Sequence, residues 1–416
     1  MKKSLFALAA VTAFAGAAQA QSSVTVYGIL DVGYVGGNER IAGPVINGNR
    51  VTKQNTSGFG DSAQSTSRLG FRGREDLGGG TAALFTLEWE IDPNTSTGMF
   101  GNTRTAIVGL SQKGYGTAAI GTQNTVIVDA MSPTLTGQFN NIVGSLMFPG
   151  ANYGPSGGTT NISGSYLDRN SANGNTAAFT FRTANTLKLQ TERFAGFSAS
   201  GIIVMDNETD TQGSVTVGNT GYTGGKNNQN GWGLGAAYTY KKFLVTAAYQ
   251  SFTATNPYVA NAQGVVAPGT AGAPAPFGNP TTGTNVKDNQ AYVGATYDFG
   301  ILKAYGSWIN RKVTSKINAN QFASRSAQEI GVRGNWTPKI ESWASMGNGR
   351  VQTFGTSEPT ANLTGWQIGT NYILSKRTNL YAIYGQSGTS NVSNRATGVN
   401  QSYNANNYAL GVRHTF

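Results

Sequence analysis

The sequence predicts an all-β protein: a 16-stranded antiparallel transmembrane β-barrel. Apolar side chains recur at every second residue in many segments of about ten residues. The connections between these segments alternate between short turns and long polar stretches, and the chain begins with an export signal. Since every backbone polar group in hydrocarbon must be paired within the protein, strands that enter a membrane must close into a barrel.

Residues 1–20 have the features of a secretory signal peptide. Lys2 and Lys3 precede a run of small apolar residues, and Ala18-Gln19-Ala20 forms a cleavage pattern. The apolar run is shorter than the roughly 20 residues that a membrane-spanning helix needs. We therefore expect a signal peptide at 1–20, export through the periplasm, and one β-barrel domain at 21–416.

The composition favours alternating strands over a soluble or disordered chain. Gly is abundant at 57 residues and charged residues make up 12% of the chain, against about 25% in a typical soluble domain. Aromatic residues at 10% argue against disorder. The formal charge is +11, but the cations are scattered along the strands, which favours a charged channel wall over a nucleic-acid interface.

The first strands place apolar and polar side chains on opposite faces. In Val24–Val35, valine and leucine share one face and Asp31 lies on the other; a long Asn/Gly-rich segment follows. A strand from Ser62 to Gly73 then places Arg68 and Arg72 opposite Leu69 and Phe71. The third strand, residues 81–91, puts Glu88 and Glu90 opposite an apolar row, and carboxylates on that face need water. Further strands of the first half are expected at 103–110, 117–124, 177–191 and 197–205, the last of them apolar on both faces near Ile202.

The second half repeats the pattern with tighter turns. Only Lys241 and Lys242 separate two strands rich in Tyr, Val and Ala, and Thr337-Pro338-Lys339 forms another short turn. The remaining strands are expected at 232–240, 243–249, 289–297, 301–312, 327–336, 340–354, 363–374, 379–386 and 403–416. Sixteen strands return both termini to one side of the membrane and form a barrel wide enough for an aqueous channel.

Several segments resemble the general porins of Gram-negative bacteria, in particular the β-proteobacterial trimeric type. The resemblance covers nearly the whole chain after the signal peptide. Its most specific parts are SVTVYGILD at 23–31, SRLGFRGREDLGGG at 67–80, VGLS at 108–111, FAGF at 194–197 and GVRHTF at 411–416.

The resemblance implies a homotrimer in the outer membrane, surrounded by outer-membrane lipid and lipopolysaccharide. It also implies that an inward-folded third loop, about Thr125 to Gly174, narrows each pore. Wall arginines line the constriction in anion-preferring relatives, and by position these are Arg68, Arg104 and Arg182. Two positions depart from the family pattern: Ala184 stands where the family reads Asn, and Thr122 stands where many members carry Arg.

The expected constriction residues are Arg68, Arg72, Glu88, Arg104, Asp129 and Arg182. Alternation alone places Arg68, Arg72 and Glu88 in the lumen. Arg104 shares its parity with Ala106, Val108 and Leu110, so alternation points it outward and its inward placement rests on the resemblance. Asp129 is expected to oppose the basic wall from the inward loop.

These residues predict passive diffusion of small hydrophilic solutes and ions, with anions preferred. A substrate-selective outer-membrane channel and a secreted all-β adhesin remain as alternatives. A membrane-embedded hydrolase is disfavoured, because the chain has one His, His414, and no Cys. A single His without Cys offers no credible Ser-His pair and no metal cluster, so no enzyme activity, cofactor or metal is expected. The scattered cations likewise predict no nucleic-acid partner.

Overall fold

The computed structural model describes twelve ranges of the chain, and the statements below concern these residues. They are 23–46, 49–94, 98–148, 179–208, 214–217, 220–223, 227–256, 284–316, 319–320, 322–354, 360–393 and 402–416. The expected signal peptide and residues 149–174 of the expected inward loop lie outside them, as do residues 175–178. No helix among the described residues is long and apolar enough to cross a bilayer.

Almost all described residues belong to β-strands. In chain order the strands are β1 (Ser23–Ile46), β2 (Asn49–Asp61), β3 (Arg68–Gly78), β4 (Thr81–Ile91), β5 (Phe100–Gln112), β6 (Gly116–Asn124), β7 (Arg182–Thr191), β8 (Phe197–Glu208), β9 (Ser214–Val217), β10 (Thr220–Thr223), β11 (Asn227–Tyr240), β12 (Phe243–Asn256), β13 (Thr284–Asp298), β14 (Leu302–Ser315), β15 (Phe322–Thr337), β16 (Ile340–Phe354), β17 (Thr360–Ile373), β18 (Thr378–Ser393) and β19 (Ser402–Thr415).

The strands close into a barrel with sixteen positions around its circumference, as predicted. Each strand pairs antiparallel with its neighbours, and β19 returns to pair with β1 from Ile29↔Thr415 to Ala42↔Ser402. The first half of β1 pairs with β3 and its second half pairs with β2, so β2 and β3 together occupy one position. Strands β9 and β10 form a separate two-stranded sheet.

The two faces of the sheet differ in the way that alternation predicts. Ile120 pairs with Val108 on one side and Leu187 on the other, and all three side chains are exposed on the outer surface. The opposite face carries most of the buried polar side chains, such as Asp31 and Gln290. The outer surface is therefore apolar and the inner surface is polar, which is the inverse of a soluble domain.

The first hairpin is longer than the sequence indicated. The expectation that the first strand ends at Val35, before a long loop, was wrong: β1 continues to Ile46 and pairs with β2 from Val32 onward. The backbone hydrogen bonds between β1 and β2 form this hairpin, although its side chains show no period-two pattern. Near its base, the rings of Tyr34 and Phe59 meet edge to face at 6.2 Å between centroids.

The expected second strand begins at Arg68 and not at Ser62. Residues 62–67 leave the sheet at Ser62, which has a φ of 62°, and the fully buried carboxylate of Asp31 holds them. Its Oδ2 accepts the backbone N–H groups of Gln64 at 2.8 Å and Ser65 at 2.5 Å. Its Oδ1 accepts the hydroxyl of Tyr381 at 2.6 Å. The N–H groups of Gln64 and Ser65 bind the Asp31 carboxylate instead of a neighbouring strand, and the strand is interrupted at these residues.

The sixth and seventh strands also differ from their expected bounds for a physical reason. Residues 179–181 precede β7 and pack inside the barrel, where Phe179 and Phe181 are buried. Ile202 and Val204 of β8 are buried in the same apolar cluster, together with Val126. Strand β8 is therefore apolar on both faces because its inner face is covered by protein.

Nitroxide labels test the inside-out arrangement. Labels at Leu69, Phe85 and Val412, whose strand positions face outward, should report burial among acyl chains after reconstitution. Labels at Arg72 and Thr86, which pair with each other across β3 and β4 on the inner face, should report access to water. Electron paramagnetic resonance with oxygen and a nickel chelate as relaxation agents measures both. Water accessibility at the first three positions would contradict the barrel orientation.

Candidate functional site

The first part of the segment after β6 lies against the inner face of the barrel. It begins with a short helix, α1 (Val126–Met131), followed by a 3-10 turn at Ser132–Thr134. The Thr246 hydroxyl of β12 donates to the carbonyl of Ala130 at 2.7 Å, and the hydroxyls of Thr134 and Tyr292 are 2.7 Å apart. Apolar packing by Val126, Ile127 and Met131 accompanies these bonds.

The two ends of this segment are tied together. The backbone N–H of Thr125 donates to the carbonyl of Phe181 at 2.9 Å, and its hydroxyl donates to the carbonyl of Thr180 at 2.7 Å. Gln290 of β13 then holds Thr180, accepting its N–H at 2.6 Å and donating to its hydroxyl at 2.8 Å. The segment therefore starts and ends at one place on the wall.

Charged side chains of β15 hold residues 136–148 against the inner wall of the barrel. Arg333 of β15 donates to the carbonyl of Thr136 at 2.7 Å. Glu329 accepts both the Ser145 hydroxyl and the Leu146 N–H at 2.8 Å, while Arg325 donates to the Leu146 carbonyl at 2.7 Å. Glu329 and Arg325 are buried beneath the segment, so these two inward charges serve as anchors.

Two amide groups and a glycine complete the attachment. Gln367 of β17 donates to the carbonyl of Val143 at 3.0 Å and accepts from Asn140 Nδ2 at 3.0 Å. At Gly385 of β18, an added Cβ would lie 1.7 Å from the Val143 carbonyl oxygen. The segment is in direct backbone contact with the wall here, and only glycine leaves the necessary space.

Four side chains meet on the wall away from these anchors. Glu88 of β4 lies at the centre: its Oε1 is 2.7 Å from Arg104 Nε and 3.8 Å from Arg68 Nη1. Its Oε2 accepts the hydroxyl of Tyr27 at 3.1 Å. Arg68 is also oriented by donation from Nε to the Thr66 carbonyl at 2.9 Å. The cluster thus depends on the interruption at residues 62–67, which positions Thr66.

A β-bulge turns Arg104 into the barrel. Glu88 pairs with Thr105 whereas the next residue, Trp89, pairs with Thr103, so Arg104 is the extra residue on its strand. Alternation alone would have pointed Arg104 outward. The bulge changes the parity at this point, which allows the guanidinium to bind Glu88. The sequence near Arg104 contains no Pro, and the adjacent residues gave no local signal for the bulge.

Arg182 and Arg413 extend the positive charge of this wall. Arg182 begins β7, opposite Asn124; the guanidinium groups of Arg68 and Arg104 repel its own, and Glu88 and Glu90 attract it. Its Nε atom is buried without a hydrogen-bond partner. Arg413 repels Arg68 and donates from Nε to the Ser65 hydroxyl at 3.0 Å. Arg413 was not among the expected residues, although its alternation with Val412 placed it inward.

Arg72 and Asp129 form no ion pair with Glu88 among the described residues, although Arg72 contacts the Tyr27 ring of its cluster. Arg72 is exposed, four residues along β3 from Arg68, and its guanidinium lies 5.3 Å from the centroid of the Tyr27 ring. Asp129 of α1 forms an ion pair with Lys188 of β7, which also donates to the Asn124 carbonyl at 3.0 Å. Burial raises the pKa of the Asp129 carboxyl, and the Lys188 ammonium opposes that rise. The charge of Asp129 is therefore balanced locally.

The described residues include no group of three or more His, Cys, Asp or Glu side chains that could hold a metal ion. The arginine side chains on this wall can attract and orient anions, and the carboxylate of Glu88 reduces that attraction.

Comparisons with known proteins agree with this architecture. A family model described as Gram-negative porin matches residues 7–392. Outer membrane porin protein 32 of Delftia acidovorans is 49% identical over 113 residues, which cover 27% of this chain and 29% of that protein. An outer membrane porin protein of Bordetella pertussis (strain Tohama I) is 39% identical over 136 residues, 30% of this chain and 34% of that protein. The chain thus aligns with about a third of the length of these relatives.

Solved structures share the fold at low sequence identity. An anion-selective porin from Comamonas acidovorans superposes with a TM-score of 0.64 at 21% identity, covering 95% of this chain and all of that one. The trimer form of in-vitro folded OmpT from Vibrio cholerae gives a TM-score of 0.58 at 14% identity, covering 95% of this chain and 99% of that one.

Replacing Gly385 with Val tests the attachment of residues 136–148. The new side chain collides with the Val143 carbonyl, and such overpacking costs about 1–3 kcal/mol. Hydrogen–deuterium exchange at residues 140–148 should therefore accelerate roughly tenfold or more. Gly306→Val is the matched control, because an added Cβ there meets nothing within 4 Å. Equal exchange in the two variants would contradict the attachment.

Proposed function

This chain belongs to the Gram-negative porin family, and from that premise we propose that it forms an outer-membrane channel for passive diffusion of small hydrophilic solutes, with anions preferred. The family and the closed barrel indicate a channel rather than an enzyme. The observation that carries the anion preference is the cluster of Arg68, Arg104 and Arg182 around Glu88.

The charges of this wall favour anions by simple electrostatics. Arg68, Arg104 and Arg182 lie near two carboxylates, Glu88 and Glu90, and Arg413 lies near a third, Asp31, so four arginines face three carboxylates and positive charge is in excess. In a narrow passage with low-dielectric walls, a net positive potential raises the local concentration of anions. The structural relative whose title calls it anion-selective supports the same preference.

The segment after β6 supplies the other side of the passage in this proposal. Residues 125–148 are held against β12, β13, β15, β17 and β18. Asn141 also donates to the carbonyls of Ser62 and Ala63, so the segment reaches the residues that precede Arg68. We infer that the whole third loop, about 125–174, narrows the lumen and that Asp129 and Arg72 border the constriction. The Lys188 ion pair then reduces the contribution of Asp129 to the transverse field.

The assembly and processing of the chain belong to the same proposal. Removal of residues 1–20 would leave one barrel domain at 21–416. Three copies would form a homotrimer, a state supported by the trimer form of a structural relative. Outer-membrane lipid and lipopolysaccharide would then surround the apolar outer surface.

A substrate-selective channel is the second candidate, and one observation favours it. The Nε atom of Arg182 is buried beside two other arginines and has no hydrogen-bond partner. Because an unpaired buried donor is unfavourable, an anion oxygen that reached this atom would be bound in preference to water. Saturation of the single-channel current by one small carboxylate or phosphate, but not by chloride, would favour this candidate over general diffusion.

Arg68→Glu tests the basis of anion preference. The substitution reverses one charge of the cluster and places a second carboxylate beside Glu88, so the anion-to-cation permeability ratio should fall about threefold or more. The reversal potential in a salt gradient across a planar bilayer measures this ratio. Arg74→Glu is the control, because it makes the same charge change six residues along β3, near the short turn. A ratio that is unchanged in Arg68→Glu would remove Arg68 from the mechanism.

The preference of the wild-type channel should also depend on ionic strength. Charges that face water are screened beyond about 10 Å at 0.1 M salt and about 3 Å at 1 M. The permeability ratio should therefore approach the ratio of ionic mobilities as salt rises from 0.1 M to 1 M. A ratio that stays constant over this range would indicate selection by direct coordination instead of by the potential of the wall.

A further inference from the structure

We propose that Asp31 is a positioning residue for anion selection. Through residues 62–67, named the connector from here on, its carboxylate sets the positions of Arg68 and Arg413. Asp31 is fully buried and does not line the passage. By its field alone a carboxylate beside this wall opposes the entry of anions, so any favourable contribution must come from its hydrogen bonds. This role rests on the anion-preferring channel proposed above.

Both the backbone and the side chain of Asp31 hold the connector. Its backbone carbonyl accepts the N–H of Ser62 at 2.8 Å, and its backbone N–H donates to the Ser67 hydroxyl at 3.0 Å. These bonds attach the two ends. The middle is attached by the side chain, whose Oδ2 accepts the N–H groups of Gln64 and Ser65. A substitution of Asp31 can therefore release the middle of the connector and leave its ends in place.

Tyr381 of β18 fixes the direction of the carboxylate. Its hydroxyl donates to Asp31 Oδ1 at 2.6 Å, and the whole side chain is buried. The hydroxyl lies against Gly411 of β19, where an added Cβ would collide with it. The Tyr381 ring is thus confined by the neighbouring backbone, and the carboxylate is bound on both oxygens.

The connector in turn holds two arginines. The carbonyl of Thr66 accepts from Arg68 Nε at 2.9 Å, and the hydroxyl of Ser65 accepts from Arg413 Nε at 3.0 Å. A guanidinium is planar and rigid, so a bond to Nε also fixes the direction of the Nη groups. Ser65 belongs to both sets of bonds, since its N–H donates to Asp31. Displacement of the connector would therefore turn both guanidinium groups.

The connector also contacts the segment after β6. The backbone N–H of Asn141 donates to the carbonyl of Ala63 at 2.9 Å, and its Nδ2 donates to the carbonyl of Ser62 at 2.7 Å. One short stretch of backbone thus joins the inward segment to the arginine wall. Exchange of the Asn141 amide hydrogen with solvent reports whether the connector is in place.

Two substitutions separate the field of Asp31 from its hydrogen bonds. Asp31→Asn and Asp31→Leu remove the same charge at nearly the same volume. The Asn oxygen can still accept the N–H groups of Gln64 and Ser65, and its amide can donate to the Tyr381 oxygen, whereas Leu can do neither. If only the field mattered, both variants would raise the anion-to-cation permeability ratio equally.

Reversal potentials of the two variants in planar bilayers test the inference. Asp31→Asn should match or exceed the wild-type permeability ratio, because the connector stays attached and one negative charge is gone. Asp31→Leu should lower the ratio about twofold or more, because Arg68 and Arg413 are no longer directed. Exchange at Asn141 should accelerate about tenfold in Asp31→Leu only. Asp288→Leu is the matched control: it removes another buried inner carboxylate and should not lower the ratio.

Tyr381→Phe keeps the inference testable if Asp31→Leu does not fold. It removes one hydrogen bond to the carboxylate and no charge, so the ratio should fall, by less than in Asp31→Leu. Tyr305→Phe removes a hydroxyl from the inner face of β14 and should leave the ratio unchanged.

Equal ratios in Asp31→Asn and Asp31→Leu would overturn the inference. So would a wild-type ratio in Asp31→Leu with accelerated exchange at Asn141, or a wild-type ratio in Tyr381→Phe. The wild-type channel keeps the two proposals separate. A wild type without anion preference defeats the proposed function, whereas an anion-preferring wild type with equal ratios in the two variants defeats only the role of Asp31.

Discussion

The pairing of β19 with β1 is the constraint on which the rest of the molecule depends. A sheet in hydrocarbon cannot leave an edge unpaired, so the fourteen-residue register between these strands removes the last free row of backbone groups. Closure determines which face of every strand meets lipid and which faces the interior. The apolar outer surface, the polar lumen and the position of the arginine cluster all follow from that division.

Inside the closed barrel, charged residues have two different uses. On the β12–β18 side they are buried: Glu329 and Arg325 hold residues 145–146, whereas Arg311 pairs with the side chain of Asp288 at 2.6 Å. On the β3–β7 side the arginines around Glu88 keep contact with the lumen. Burying an ion is unfavourable unless other groups compensate its charge; Glu329 accepts two hydrogen bonds from residues 145–146, and Arg311 is paired with Asp288. The two groups make the interior asymmetric in structure and in potential.

The alternation of apolar and polar residues predicted the fold well, because contact with lipid requires apolar side chains on the outer face of every membrane-spanning strand. The bounds of β4 and β16 agree with the expected strands, and the inward positions of Arg68 and Glu88 follow from period two alone. The same rule also pointed to Arg413, which was overlooked. Membership in the expected family agrees with the Gram-negative porin match.

The features that sequence reasoning missed are local competitions among backbone hydrogen bonds. Asp31 withdraws residues 62–67 from the sheet, and an added residue at Arg104 changes the parity of one strand. Neither event has a compositional signal, since each depends on a partner elsewhere in the chain: Tyr381 for Asp31 and Glu88 for Arg104. The apolar inner face of β8 was visible in the sequence, but its cause is the packing of Val126 and Phe179.

The register of the closing seam also constrains how the protein can be made. Its first pair joins Ile29 to Thr415, a contact between residues nearly a full chain length apart, and contacts of such long range form slowly. The sheet therefore keeps two unpaired edges, on β1 and on the last strand added, until β19 is available to close it. Closure is therefore a late step of assembly, and until it occurs the free edges of β1 and β19 are open to pairing with other chains.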